Sequence, residues 1–92
     1  MTRTLQVRIT GLVQGVGYRA WTEQAARQRK LSGWVRNRRD GSVEALISGP
    51  DDKVAEMLGY FWQGPTASRV ARVDAEPAGA PMQLGFRTLP TA

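Results

Sequence analysis

The fold of this chain is constrained most by the spacing of its apolar residues, which follows the period of a strand in some segments and that of a helix in others. Apolar residues alternate with polar ones over Thr4–Thr10, which is typical of a strand with one buried face. From Val54 to Phe61 they recur instead at the spacing of one helix face. The pattern predicts strands over Thr4–Thr10, Leu31–Asn37, Ser42–Ser48 and Ala67–Ala75, and helices over Tyr18–Lys30 and from Pro50 to Gly64.

This order of strand, helix, strand, strand, helix and strand is the split βαβ pattern of a ferredoxin-like α+β sandwich. Asp40-Gly41 predicts a hairpin between the second and third strands. In such a fold, two helices cover one face of an antiparallel sheet. A short extra strand is predicted near the C-terminal end, over Gln83–Leu89, with Leu84, Phe86 and Leu89 as its apolar residues. The 92 residues predict a single domain over 1–92, because a chain of this size buries one modest core.

Absent residue types exclude several kinds of catalytic site. The chain has no cysteine and no histidine. It therefore lacks a thiolate nucleophile, a Ser-His-Asp arrangement and the usual nitrogen and sulfur ligands of zinc. No apolar run approaches the roughly 20 residues that cross a bilayer, and the N-terminus shows no apolar signal segment. We therefore expect a soluble, cytoplasmic protein without a membrane partner.

The basic charge is concentrated in one part of the chain. The net charge is +5, and the stretch from Arg19 to Arg39 carries seven basic side chains against the single carboxylate of Glu23. A local positive field favours an anionic partner near this region. The alternative is a solvated basic face that serves solubility.

The segment between the first strand and the first helix is rich in glycine. Gly11, Gly15 and Gly17 lie within seven residues, and Arg19 follows in the first helical turn. Such a loop can direct several main-chain N–H groups towards one point at the positive end of a helix, which makes a site for an anion. Arg19 could bind a phosphate there through two parallel hydrogen bonds. The loop lacks the Gly-Lys-Ser/Thr ending of a nucleotide P-loop and does not fit the dinucleotide-binding fingerprint.

Two segments of the chain resemble the signatures of the acylphosphatase family. Gly11-Leu12-Val13-Gln14-Gly15-Val16-Gly17-Tyr18-Arg19 is similar to the first signature, G-x-V-Q-G-V-x-F-R, with Tyr18 where phenylalanine is usual. Gly33-Trp34-Val35-Arg36-Asn37-Arg38-Arg39-Asp40-Gly41-Ser42-Val43-Glu44 is similar to the second, G-W-V-x-N-x-x-D-G-x-V-E. Arg29-Lys30-Leu31 departs from the common Leu-Gly-Leu type of helix ending. The resemblance covers nearly the whole chain, and the family fold is the ferredoxin-like sandwich.

The resemblance implies hydrolysis of acyl phosphates to a carboxylate and inorganic phosphate. It implies that Arg19 binds the phosphate and that Asn37 orients the attacking water. The phosphoryl oxygens would be held by the main-chain N–H groups of Gly15, Val16, Gly17, Tyr18, Arg19 and Ala20. No metal, cofactor, covalent intermediate or nucleic acid is implied, and a monomer is expected. For Asn37 to reach Arg19, we expect the first two strands to be neighbours in the sheet.

Several of these residues also have a purely structural interpretation. Asn37 stands before a turn, where asparagine is favoured for its local hydrogen bonds. Arg36, Arg38 and Arg39 are expected on a solvated face, where they could also raise the local potential for anionic substrates. The three tryptophans, Trp21, Trp34 and Trp62, are expected in core or half-buried packing.

Two other classes of function fit the same order of elements. An RNA-recognition module shares the fold order, but the predicted third strand has none of the aromatic residues on which such modules stack bases. A sensing domain that binds phosphate without turnover would use the same loop. Phosphate binding without hydrolysis would identify this last class.

Overall fold

The computed structural model describes residues 1–92 as a five-stranded sheet with two helices. In chain order the elements are β1 Thr2–Leu12, α1 Tyr18–Gln28, β2 Ser32–Asn37, β3 Val43–Pro50, α2 Asp51–Gln63, β4 Arg69–Pro77 and β5 Phe86–Thr88. The predicted ferredoxin-like order is confirmed. Neither helix is long and apolar enough to cross a membrane.

The sheet has the strand order β4-β1-β3-β2-β5. The first four strands of the chain pair in the antiparallel sense, as predicted. β5 instead pairs parallel to β2, so the complete sheet is mixed. The reason is geometric: β4 runs along one edge in the direction of β3, and the chain then returns along the far edge in the opposite direction, which is that of β2.

The core lies between the sheet and the helices. Leu5, Val7 and Ile9 of β1 are buried, which confirms the face predicted from their alternation. Val54, Met57 and Phe61 of α2 are fully buried as well, while Leu58 packs against the core from a partly exposed position. β1 and α2 therefore each contribute one apolar face to the same core, because neither layer can bury its apolar side alone.

The end of α1 differs from the prediction in length. The helix ends at Gln28 rather than Lys30, and Lys30 adopts a left-handed conformation with φ 57°. Its N–H donates to the Arg27 carbonyl, and the Leu31 N–H donates to the Ala26 carbonyl. These two bonds form the usual C-terminal helix motif, in which glycine is preferred at the position of Lys30.

The last strand is shorter than predicted. β5 covers only Phe86–Thr88 of the expected Gln83–Leu89. Phe86 is buried, whereas Leu84 is 93% exposed, so its assignment to a packed strand was wrong. The prediction for Trp62 was also wrong, because this side chain is 52% exposed. Leu84 lies in the bend before β5, where Gly85 has φ 90°, so the alternation that includes Phe86 does not extend back to it.

Candidate active site

Three strand ends meet at one edge of the sheet. β1 and β2 both pair antiparallel to β3, and β5 runs parallel to β2. Their C-terminal ends therefore lie at the same edge, which brings the loop after β1 close to Asn37 and Thr88. The expectation that β1 and β2 are neighbours was wrong, because β3 lies between them. The loop after β1 crosses over the end of β3 to reach the end of β2.

Gln14 makes this crossing. Its side-chain amide nitrogen donates to the main-chain carbonyl of Arg38 at 2.7 Å and to that of Ser42 at 2.8 Å. Both carbonyls belong to the turn that joins β2 to β3. The amide therefore ties the loop before α1 to the segment that follows Asn37.

The loop itself turns through two left-handed glycines. Gly15 has φ 73° and Gly17 has φ 80°, a region that other residues enter only at a cost. Gly17 caps α1 without a side-chain hydrogen bond. From Gly15 to Ala20, no main-chain N–H donates to a carbonyl of the chain, and the first such bond is from Trp21 to Gly17. Unpaired donors at a helix N-terminus favour an anion.

A pocket of about 410 Å³ opens at this edge of the sheet. Five of the six residues predicted to bind phosphate line it, namely Gly15, Gly17, Tyr18, Arg19 and Ala20. Val16 does not line it and packs against the core instead. Asn37 lines the same pocket, so the structure brings together both residues predicted to be catalytic.

Arg19 and Asn37 each leave polar groups without a protein partner. Arg19 forms no salt bridge in the chain, although seven other arginines do. The Oδ1 atom of Asn37 is shielded from bulk solvent and has no hydrogen-bond partner. An unpaired buried acceptor costs about 1–3 kcal/mol, a cost that a bound donor would relieve.

The main chain around Asn37 is held from two sides. Ala92 donates its N–H to the Asn37 carbonyl at 3.0 Å, and its own carbonyl accepts from the Arg39 N–H at 3.0 Å. In the turn beyond, the Ser42 hydroxyl and N–H donate to Asp40 Oδ1 at 2.6 and 2.9 Å. These two bonds hold the pKa of the Asp40 carboxyl below its usual value. Hydrogen bonds therefore fix the conformation of the turn that follows Asn37.

The basic residues flanking Asn37 bind a carboxylate beneath the turn. Arg36 and Arg38 donate to Glu44 Oε1 at 2.8 and 3.0 Å, on a side chain only 4% exposed. Burial raises the pKa of Glu44, but hydrogen bonds from Arg36, Arg38 and Gln6 outweigh burial and keep this pKa below its usual value. The prediction of a solvated face was therefore wrong for Arg36 and Arg38, and it holds for the exposed Arg39.

Tyr18 occupies the position where the family signature has phenylalanine. Its ring is buried, and its hydroxyl donates to the Phe61 carbonyl at 2.6 Å. Phe61 lies in the last turn of α2, and its ordinary helical donor would be residue 65, a proline without an N–H. The hydroxyl therefore satisfies a carbonyl that the helix leaves free, and burial raises the pKa of Tyr18.

The sequence predicted that the Gly11–Ala20 loop as a whole holds the phosphate, but it predicted no individual role for four residues that line the pocket, namely Val13, Gln14, Glu23 and Thr88. Gln14 belongs to the first signature, so its place in the motif was a signal. Glu23 lies four residues after Arg19, a spacing that puts two side chains on one helix face. Thr88 could be found only from the pairing of β5 with β2.

Comparisons of the whole chain with known proteins lead to one family. A sequence profile of the acylphosphatase family matches residues 5–88. The acylphosphatase of Rhizobium meliloti is 54% identical over 86 residues, which cover 92% of this chain and 90% of that protein. The acylphosphatase of Azorhizobium caulinodans is 52% identical over 92 residues, which cover 99% of each chain. The solved structure of an acylphosphatase from Coxiella burnetii superposes with a TM-score of 0.92 at 30% identity, over 96% of this chain and 93% of that one.

Proposed function

This chain belongs to the acylphosphatase family and hydrolyses acyl phosphates, and we propose that Arg19 and Asn37 carry out this reaction within the loop pocket. The observation that carries the proposal is the meeting of three unsatisfied features in one pocket. These are the unpaired guanidinium of Arg19, the free main-chain N–H groups of the loop, and the unpartnered Oδ1 of Asn37.

The proposed phosphate site combines Arg19 with the N–H groups from Gly15 to Ala20. A guanidinium donates two parallel hydrogen bonds to a phosphate, and main-chain donors at a helix start add the positive end of the helix dipole. Val16 does not line the pocket by its side chain, but its N–H belongs to the same run of free donors. These groups would stabilise the charge on the equatorial oxygens during transfer.

The proposed role of Asn37 is to hold the attacking water. Its amide offers one acceptor and two donors, so it orients water without needing to ionise. The water oxygen bonds to phosphorus while the bond from phosphorus to the bridging oxygen breaks, and the electron pair leaves with the carboxylate. The proton of the water passes to a phosphate oxygen, so no histidine is required.

The proposed reaction needs no metal ion. A carboxylate is a good leaving group, and phosphoryl transfer depends chiefly on positioning and charge stabilisation. Glu23 is the one carboxylate that lines the pocket, and the chain has no group of three or more acidic side chains placed to hold a metal. Arg19 would supply the positive charge that a metal supplies elsewhere. Action as a cytoplasmic monomer, without nucleic acid, stays a prediction.

The test is phosphate release from acetyl phosphate in the presence of a chelator. We expect turnover in the wild type, near-complete loss in Arg19→Ala and Asn37→Ala, and unchanged activity in the matched controls Arg39→Ala and Gln63→Ala, which alter exposed side chains outside the pocket. Inorganic phosphate should still compete in Asn37→Ala but only weakly in Arg19→Ala. Near-normal turnover by a folded Asn37→Ala variant, or loss of wild-type turnover in chelator, would overturn the proposed mechanism.

A further inference from the structure

A carboxylate lies in the same pocket as the proposed phosphate site. Glu23 is one helical turn after Arg19 on α1, and both line the pocket. The Glu23 side chain is 29% exposed, so it is accessible from the pocket opening. Its Oε1 atom accepts a hydrogen bond from the Thr88 hydroxyl at 3.1 Å and lies 3.8 Å from Nη2 of Arg27. These contacts hold the Glu23 carboxylate at the opening of the pocket.

The lining of the pocket is chemically divided. Gly15, Gly17, Arg19 and Ala20 offer donors that suit phosphate oxygens. Glu23 offers only acceptors, and the hydroxyl hydrogen of Thr88 is already donated to it. The Glu23 side of the pocket therefore repels phosphate oxygens. The part of an acyl phosphate left to occupy this side is the acyl group.

We propose that Glu23 is a specificity-determining residue that selects acyl phosphates whose acyl group is neutral or cationic and disfavours those that carry a second anionic group. The inference rests on the proposed placement of phosphate at Arg19. A negative charge on the acyl group would face the Glu23 carboxylate at short range in a partly desolvated pocket. The repulsion between two like charges about 4 Å apart is roughly 1 kcal/mol even in water. This energy corresponds to about a fivefold change in rate or binding.

Arg27 modulates this effect without cancelling it. Its guanidinium also donates to the Phe86 carbonyl at 3.1 and 3.3 Å, and it does not line the pocket. Its side chain is 63% exposed, so solvent screens its charge more than that of Glu23. The two charges therefore make opposite contributions to selectivity, and the contribution of Glu23 is the larger.

The test compares benzoyl phosphate with para-carboxybenzoyl phosphate, a pair that shares its shape and differs by one charge. The measured quantity is the ratio of kcat/KM for the neutral substrate to that for the anionic one. We expect Glu23→Gln to lower this ratio about fivefold relative to wild type, and Arg27→Gln to raise it. The substitution to glutamine keeps an oxygen that can accept from Thr88. Asp52→Asn removes an exposed carboxylate outside the pocket and should leave the ratio unchanged.

Each other outcome overturns the inference in a recognisable way. If Glu23→Gln changed neither kcat/KM value, the acyl group would lie elsewhere. An equal gain for both substrates would mean that Glu23 acts on the phosphate alone, and a large equal loss in kcat would make it a general base instead. The proposed roles of Arg19 and Asn37 are judged separately, from the loss of benzoyl phosphate turnover in their own variants.

Discussion

The side-chain amide of Gln14 donates to the main-chain carbonyl of Arg38 at 2.7 Å, joining the loop that would bind phosphate to the strand end that would hold water. A second bond, to the Ser42 carbonyl at 2.8 Å, fixes the amide between both arms of the β2–β3 turn. Since β3 separates β1 from β2 in the sheet, no main-chain ladder can hold these two parts in register. A side chain performs this function instead.

Loss of this bridge should reduce turnover more than phosphate binding. We expect Gln14→Ala to lower kcat by roughly ten- to a hundredfold, because small misplacements of reacting groups are costly. Competition by inorganic phosphate should weaken much less, since Arg19 and the loop donors remain. Steady-state kinetics on acetyl phosphate measure both quantities. Gln24→Ala, an exposed glutamine on α1, is the control. Equal losses in kcat and in phosphate affinity would contradict a positioning role.

Removal of the Tyr18 hydroxyl should destabilise the fold without disrupting the glycine-rich loop before α1. Tyr18→Phe leaves the Phe61 carbonyl without a donor in a buried environment, which we expect to cost about 1–2 kcal/mol of unfolding free energy. Urea denaturation measures this loss. Tyr60→Phe removes a hydroxyl from a partly exposed ring and should change stability little. Equal effects of the two substitutions would show that the Phe61 carbonyl finds another partner.

Glycine at position 30 should stabilise the protein. Lys30 is left-handed at φ 57°, where a side chain costs roughly 1–2 kcal/mol, partly offset by the greater freedom of glycine in the unfolded chain. We expect Lys30→Gly to raise the unfolding free energy by up to about 1 kcal/mol. Lys30→Ala retains the Cβ and removes the same charge, so it should show no such gain. If both variants gained equally, the cause would be charge rather than conformation.

The contribution of Glu44 to stability should depend on pH. Its folded pKa lies below the usual value, so the stabilising effect of its ionised form is complete above the unfolded pKa and is lost as the pH falls through the folded pKa. We expect Glu44→Gln to cost about 1–3 kcal/mol at neutral pH, because Arg36 and Arg38 lose their charged partner. The difference from wild type should shrink in acid.

Denaturation curves at a series of pH values measure this difference. Glu76→Gln, which changes an exposed carboxylate on β4, serves as the control and should give a small difference at every pH. A gap between wild type and Glu44→Gln that stayed constant into acid would show that Glu44 is not stabilised as the ionised form.

Much of the fold could be predicted from local patterns. The alternation in β1 and the helical spacing in α2 each follow from the need to bury one face of an element, and the order of elements then limits the fold. Errors arose where burial depends on a distant partner. Leu84 is an apolar residue of the kind found in strands, yet nothing covers it. Arg36 is a residue type usually found on the surface, yet it packs over Glu44 and hydrogen-bonds to it.

The sequence by itself determined the order of elements, the position of the glycine-rich loop and the residue types available for chemistry, because these depend on neighbours along the chain. Only the tertiary structure decided that β3 separates β1 from β2, that Gln14 bridges the gap, and that Glu23 and Thr88 share the pocket of Arg19 and Asn37. The physical reason is that β1, β2 and β5 run in the same direction in the paired sheet, which brings segments distant in the chain to one edge of that sheet. No local periodicity records which segments those are.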